Sequence, residues 1–360
     1  LKRAVRRKNM SLMEIRKRID FIDSKILKLL NDRMEQVLMA KKFKSKIEDR
    51  KREKEVFERI RENLTGLINA EFIERIYTEI IKESKELQQG DYKLIAFQGE
   101  HGAYGDVASR AWSSDFVPVP CTQFAEVFEG VKSGLYDLGI VPVENTLGGS
   151  VEQVNHLLIN TDLNVVGAVE LPIHLCLLAL PGTDHREIRT VYSHPQALAQ
   201  ARQFLSRNKL DPVQYYDTAG AARMLSEERP KGSAAIASKL CAELYHLEII
   251  KEDIEDLERN MTRFLVVSRE ENEEEGNKCS VVFSTEHKAG TLFRVLEEFA
   301  RGNINLTRIE SVPSEPGNYA FFVDFMGATK DANVVEALEK VKGITTHFKL
   351  IGCYKERKVS

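Results

Sequence analysis

The chain has 360 residues, of which 42% are hydrophobic, with a formal net charge of −3. That is room for two or three domains with their own cores, and no apolar run reaches the roughly 18 residues that a membrane span needs. The five cysteines, Cys121, Cys176, Cys241, Cys279 and Cys353, form neither a CxxC pair nor a histidine-flanked ligand set, so they read as thiols of a reducing cytoplasm and no structural metal is expected.

The basic opening, LKRAVRRKNM, has no apolar stretch behind it and does not read as a secretory signal. Residues 1–89 hold 24 Lys/Arg against 16 Asp/Glu, while the remainder holds 28 against 39. A basic module is thus joined to an acidic body, and either nucleic acid or a small polyanion suits such a module. Acids alternate with bases in MEIRKRIDFIDSKI, and no aromatic stacking platform accompanies them, which weighs against nucleic acid.

The first module is helical. Ile15, Ile19, Ile22, Ile26 and Leu29 step by four and three, drawing one apolar stripe. A first helix is expected to reach Lys46, roughly 50 Å along its axis, with others over about 49–64 and 69–88. Two shorter helices cannot cover so long a stripe, which points to a dimer. Arg33 lies on the stripe, and Lys44, eleven residues on, faces the same way along a continuous helix. A cation on an apolar face is costly unless an anion meets it. Arg16 lies on another face and reaches the same anion only from a second protomer. Ser84 and Gln88 form a polar pair four residues apart, and EDRKREKE adds Asp49, Arg52 and Glu53.

From Tyr92 the periodicity shortens. KLIAFQG, LGIVPVEN, VVGAVELP, TVYSHP, AAIAS and RFLVVSR read as strands, most followed by helices, which argues for an α/β domain over 92–270 with largely parallel sheets. Polar or glycine-containing turns follow the strands: Gly99–Gly102, Glu144–Thr146 and Ser193–Pro195. Such turns at helix N-termini collect carboxylated ligands at the C-terminal ends of strands. After an acidic linker at about 269–278, residues 279–356 read as βαββαβ, a ferredoxin-like unit.

IRKRIDFIDSKILKLLNDRMEQVLMAKKFK, EDRKREKE and IIKESKELQQ together resemble the all-helical chorismate mutases. The resemblance implies a substrate site of Arg16 (from a partner chain), Arg33, Lys44, Asp49, Arg52, Glu53, Ser84 and Gln88, with Lys44 and Gln88 donating to the ether oxygen of chorismate. GEHGAYG, PVENT, SHPQALAQ, DTAGAA and NMTRF resemble the prephenate dehydratase domain, whose two lobes are related to type II periplasmic binding proteins. It implies catalytic roles for Asn145, Ser193, Gln200, Thr262 and Arg263, with Glu144, Thr146, Thr218 and Ala219 near the substrate. Arg263 either pairs with a substrate carboxylate or holds a structural one such as Glu144. His194 is either an acid or a helix cap. Gly105 stands where many members carry Ser.

AGTLF and NINLTRIESVP resemble the motifs of ACT domains, with Val312 in place of the usual Arg. That resemblance implies an amino-acid effector, L-phenylalanine, held near Gly290, Thr291, Leu292, Asn305, Leu306, Glu310 and Ser311, or else a purely dimerising module. Taken together, the resemblances imply a cytoplasmic, homodimeric enzyme of three domains, acting on chorismate and prephenate without a metal or other cofactor.

Overall fold

The computed structural model describes residues 11–257, 259–272, 276–315 and 318–359. The basic arm ahead of Ser11, the middle of the acidic linker and the tip of the EPGN turn lie outside them. Among the described residues no helix is long and apolar enough to cross a membrane. The chain divides after Tyr92 into two compact units.

The first unit is three helices, α1 (Leu12–Lys41), α2 (Arg50–Glu62) and α3 (Ala70–Gln89). Asp49 caps α2 by accepting from Arg52 N at 2.9 Å, and Asn69 caps α3 by accepting from Phe72 N at 2.8 Å. The first helix stops at Lys41, short of the expected Lys46. Helices in proteins persist mainly through packing, and Phe43, the next apolar side chain, is 77% exposed. Lys44 therefore sits in the following turn, and its helical alignment with Arg33 does not apply. The stripe from Ile15 to Leu29 is 40–66% exposed, as expected of a helix too long for its neighbours in one chain.

The second unit holds three sheets. The first lobe contains β1 (Lys93–Gln98), β2 (Phe116–Cys121), β3 (Leu138–Asn145), the short β4 (Gly149–Ser150) and β5 (Asn164–Pro172). The second lobe contains β6 (Cys176–Ala179), β7 (Thr190–Ser193), β8 (Asp211–Gln214), β9 (Ser233–Ala237) and β10 (Glu248–Lys251). The chain then returns as β11 (Met261–Ser268), inserted antiparallel between β5 and β3. Largely parallel sheets were expected, but both lobes are mixed. The two crossing segments run in opposite directions, and Ile173 N donates to Asn260 O at 2.8 Å between them. VVGAVELP and RFLVVSR are apolar on both faces because β5 and β11 are central strands. Val169, Phe264 and Val266 belong to one buried cluster with Leu177, Val191 and Ile236 of the second lobe.

The third sheet, β12 (Lys278–Ser284), β13 (Leu306–Glu315), β14 (Asn318–Met326) and β15 (His347–Tyr354), has the order β13-β14-β12-β15. With helices Thr291–Arg301 and Ala332–Ile344 it is the expected βαββαβ unit. Cys279 and Cys353 face each other across β12 and β15.

The chain then leaves this domain. β16 (Glu356–Lys358) pairs in parallel with β5 as an edge strand of the first lobe. Arg357 stacks on Trp112 with its guanidinium carbon 4.1 Å from the ring centroid. Glu356 accepts from Arg263 Nε at 2.6 Å and pairs with Lys278 at 3.0 Å. Burial opposes its charge, but Arg263 and Lys278 prevail and hold the carboxyl below its ordinary value of 4.5. The pairing therefore stabilises the fold fully above that ordinary value, and the stabilisation is lost as pH falls through the lower folded one. Glu356→Gln is expected to cost about 1.5–3 kcal/mol near neutral pH, measured by urea unfolding. The difference from wild type should begin to shrink below pH 4.5 and vanish once pH has fallen through the lower folded value.

Candidate active sites

In the helical unit, three of the expected residues meet between α1 and α3. Arg33 Nη1 donates to Ser84 Oγ at 2.5 Å, Ser84 Oγ donates to Ile80 O at 2.6 Å, and Gln88 Nε2 donates to Val37 O at 2.8 Å. Ser84 and Gln88 are buried, while Arg33 is half-buried. Glu53 faces this side of α3 through an ion pair with Lys85 at 2.8 Å, a partner the sequence reading did not single out. Asp49 serves as a helix cap, and Arg52 pairs with Glu55 at 3.3 Å. Arg16 and Lys44 are exposed and do not join the cluster within one chain.

Between the lobes of the second unit lies a cavity of about 590 Å³. Asn145, Gln200, Thr218 and Thr262 line it, together with Gln98, Gly105, His194, Tyr216 and Asp217. Asn145 closes β3 and Thr262 opens β11, and the antiparallel register sets them side by side. Because successive side chains on a strand point to opposite faces, the neighbouring pair, Glu144 and Arg263, faces away from the cleft.

Asn145 Nδ2 donates among three acceptors, Thr262 Oγ1 and Asn260 Oδ1 at 2.9 Å and Met261 O at 3.1 Å. Its Oδ1 accepts from Leu147 N at 3.0 Å and Gly148 N at 2.7 Å. Asn260 Nδ2 then donates to Gln200 Oε1 at 3.1 Å. Both polar atoms of Asn145 are thus committed, which fixes its orientation. Asn145 Nδ2 is a donor and cannot accept, so the Thr262 hydroxyl keeps its own proton to donate elsewhere. Asn260, 1% exposed and the first residue of NMTRF, is a member of this network to which the sequence motifs assign no role. Its position two residues before Thr262, just ahead of β11, was the available signal.

The remaining expected residues sit elsewhere. Ser193 is fully buried and donates to Ile236 O at 2.6 Å, tying β7 to β9 instead of lining the cavity. Thr146 donates to Arg259 O at 3.0 Å and so pins the return segment to the Asn145 turn. The Ala219 methyl is fully buried in an alanine-rich cluster of the second lobe. Arg263 takes the structural option: Nη1 lies 2.5 Å from Asp324 and 3.3 Å from Glu144, and Nη2 donates to Tyr354 Oη at 2.8 Å. His194 lines the cavity and also caps the helix Pro195–Gln200, accepting from Gln196 N at 3.3 Å.

A smaller cavity of about 370 Å³ lies on the third domain, lined by the loop 285–292 with Tyr319 and Phe321. Gly290 has φ +85°, a left-handed conformation that glycine adopts without strain, and it starts the helix bearing Thr291 and Leu292. Asn305 precedes the edge strand β13, which carries Leu306, Glu310 and Ser311, and none of these four lines the cavity within one chain.

Fold and sites together define a two-lobed α/β enzyme that carries a ferredoxin-like domain behind it and an all-helical module ahead of it. Three family models match in that order: Chorismate mutase type II over residues 15–89, Prephenate dehydratase over 95–272 and ACT domain over 280–343. A bifunctional chorismate mutase/prephenate dehydratase of Aquifex aeolicus is 34% identical over 95% of this chain and 97% of its own. An arogenate dehydratase/prephenate dehydratase of Arabidopsis thaliana is 37% identical over 75% of each chain. A solved prephenate dehydratase of Arthrobacter aurescens, in complex with L-Phe, is 31% identical with a TM-score of 0.68, covering 73% of this chain and 89% of that one. The chain belongs to the family of bifunctional chorismate mutase/prephenate dehydratases.

Proposed function

We propose that the helical unit rearranges chorismate to prephenate and that the interlobe cleft converts prephenate to phenylpyruvate. The observation that carries the second step is the Thr262 hydroxyl. Its oxygen is occupied by Asn145, and its proton is free to point into the cavity. Prephenate loses its ring carboxylate as carbon dioxide. The electron pair of the breaking bond aromatises the ring and expels the ring hydroxyl, which takes up one proton and leaves as water. Thr262 is too weak an acid to supply that proton outright at neutral pH. It donates a hydrogen bond that stabilises charge on the departing oxygen, and the proton that completes the leaving water comes from solvent. The first reaction is pericyclic and needs no acid, base or nucleophile. Arg33 grips a carboxylate, and Gln88 turns from Val37 O to the ether oxygen. Arg16 comes from a second protomer, whose docking on the exposed stripe of α1 completes the site. Neither reaction calls for a metal or redox cofactor, and we infer a cytoplasmic, homodimeric enzyme.

L-phenylalanine fits the third domain as effector. The main-chain N–H groups at the Gly290 helix start suit its carboxylate, while Tyr319 and Phe321 offer apolar surface.

The test is direct. Purified protein given chorismate alone should yield prephenate and then phenylpyruvate, and given prephenate alone should yield phenylpyruvate. Consumption of chorismate with prephenate accumulating untouched would refute the second assignment.

Asp217 adds a pH dependence. Burial raises its carboxyl above the ordinary 3.8, the Gly220 N–H that it caps works against the rise, and the Glu100 charge adds to it. A neutral Asp217 tolerates a dianionic substrate and an ionised one repels it. The KM for prephenate is expected to climb as pH rises through that raised value, and Asp217→Asn, which keeps the helix cap, should flatten the profile. An unchanged climb in the variant would place the titration on another group.

A further inference from the structure

We propose that Arg308, in the third domain, is a positioning residue of the dehydratase, holding the back of the turn whose front carries Asn145. The inference rests on the dehydratase reading of the interlobe cleft.

Arg308 stands on β13, but its side chain crosses into the first lobe and is only 4% exposed. Nη2 donates to Asn155 Oδ1 at 3.0 Å and lies 3.4 Å from both Val143 O and Ser150 Oγ. Nε is 3.5 Å from Glu144 Oε2, and the guanidinium lies over Phe322, 4.7 Å from the ring centroid. These partners surround Asn145 in the chain and in space. Val143 and Glu144 precede it on β3, and the β3–β4 hairpin sets Glu144 opposite Ser150 and Asn145 opposite Gly149. Asn155 Nδ2 in turn donates to Ser150 Oγ at 2.6 Å. The front of this hairpin faces the cleft through Asn145, and the back is gripped by Arg308.

Glu144 is the meeting point of two arginines. Arg263 reaches it from β11 at 3.3 Å while also bound to Asp324 of β14, and Arg308 reaches it from β13. Strand alternation turns this into leverage, because Glu144 and Arg263 each sit one residue from a cleft-facing partner, Asn145 and Thr262. A shift of β13 therefore changes the aim of the pair that meets the substrate.

The grip is also incompletely satisfied. Among the described residues Arg308 Nη1 is buried without a hydrogen-bond partner, a state that costs about 1–3 kcal/mol. A small displacement of β13 that turns Nη1 onto Glu144 would relieve it. The third domain thus has a physical means of favouring one of two hairpin positions, with Arg308 as the contact.

The experiment is a double-mutant cycle on the full chain with Arg308→Gln, Glu144→Gln and the pair, reading mutase kcat, dehydratase kcat and KM, and melting temperature. Arg308→Gln is expected to lower dehydratase kcat about ten- to a hundredfold, with KM within about twofold and the mutase unchanged. The double variant should lose no more than the worse single one, because both act through one contact. Arg308→Lys, which keeps the charge and loses the fork, should fall between and serves if the glutamine variant does not fold. Folded variants with wild-type dehydratase kcat, or losses that multiply, would overturn the proposal. A wild-type chain that never consumes prephenate would instead refute the reading on which it rests.

Discussion

Thr262→Ala is expected to lower dehydratase kcat by about two to three orders of magnitude, the usual loss when one donor to a developing anion is removed. KM should change little, because the hydrogen bond strengthens only as the hydroxyl departs. Thr262→Ser keeps the donor and should recover most of the activity. The chorismate step, carried by separate residues, should be untouched. Two features of the geometry underlie this expectation. Asn145 takes the acceptor side of the Thr262 oxygen, so the proton is left for the cleft. Asn145 itself is held by Leu147 N, Gly148 N and Asn260, so the donor meets the substrate already oriented. If Thr262→Ala stays folded and keeps full activity, Thr262 belongs to the strand pairing alone and the leaving hydroxyl is stabilised by another group.

The second large effect is expected at Arg33, whose guanidinium meets Ser84 between α1 and α3. Arg33→Ala should reduce mutase kcat/KM by about a hundredfold or more if, as proposed, its guanidinium grips a substrate carboxylate. Arg33→Lys should recover only part of it, because a point charge cannot reproduce the fork. Phenylpyruvate formation from added prephenate should be unaffected in both variants. A loss of dehydratase activity in step with mutase activity would mean that the substitution acts through folding, and the melting temperature would report it. Arg33 is half-buried and its partner Ser84 also donates to Ile80 O, so the variant leaves Ser84 hydrogen-bonded.

Much of this molecule is legible along the chain because its signals are local. The apolar steps of α1, the alternation of short strands and helices, and the βαββαβ order follow from periodicity, which depends only on which face a side chain takes. Asn145, Gln200, Thr218 and Thr262, which the family resemblance singles out, all line the interlobe cavity. What periodicity cannot supply is which neighbour lies across a gap. The end of α1 at Lys41, ahead of an exposed Phe43, is not marked by the periodicity of the stripe. The placement of Ser193 follows from β9, whose Ile236 O accepts its hydrogen bond. The direction of β11 was decided by the chain returning from the second lobe.

The sequence by itself determined three modules, their order and the polar residues at the strand ends, because these depend on spacing and residue type. Only the tertiary structure decided that Arg263 and Glu144 face the third domain while their neighbours face the cleft, since that needs the register of β3 against β11. It also decided that Arg308 crosses from one domain to another, and that the last strand returns to the first lobe beside β5. Those contacts join residues more than a hundred positions apart. A buried charge takes whichever partner the fold brings within hydrogen-bonding distance, and no local pattern encodes that choice.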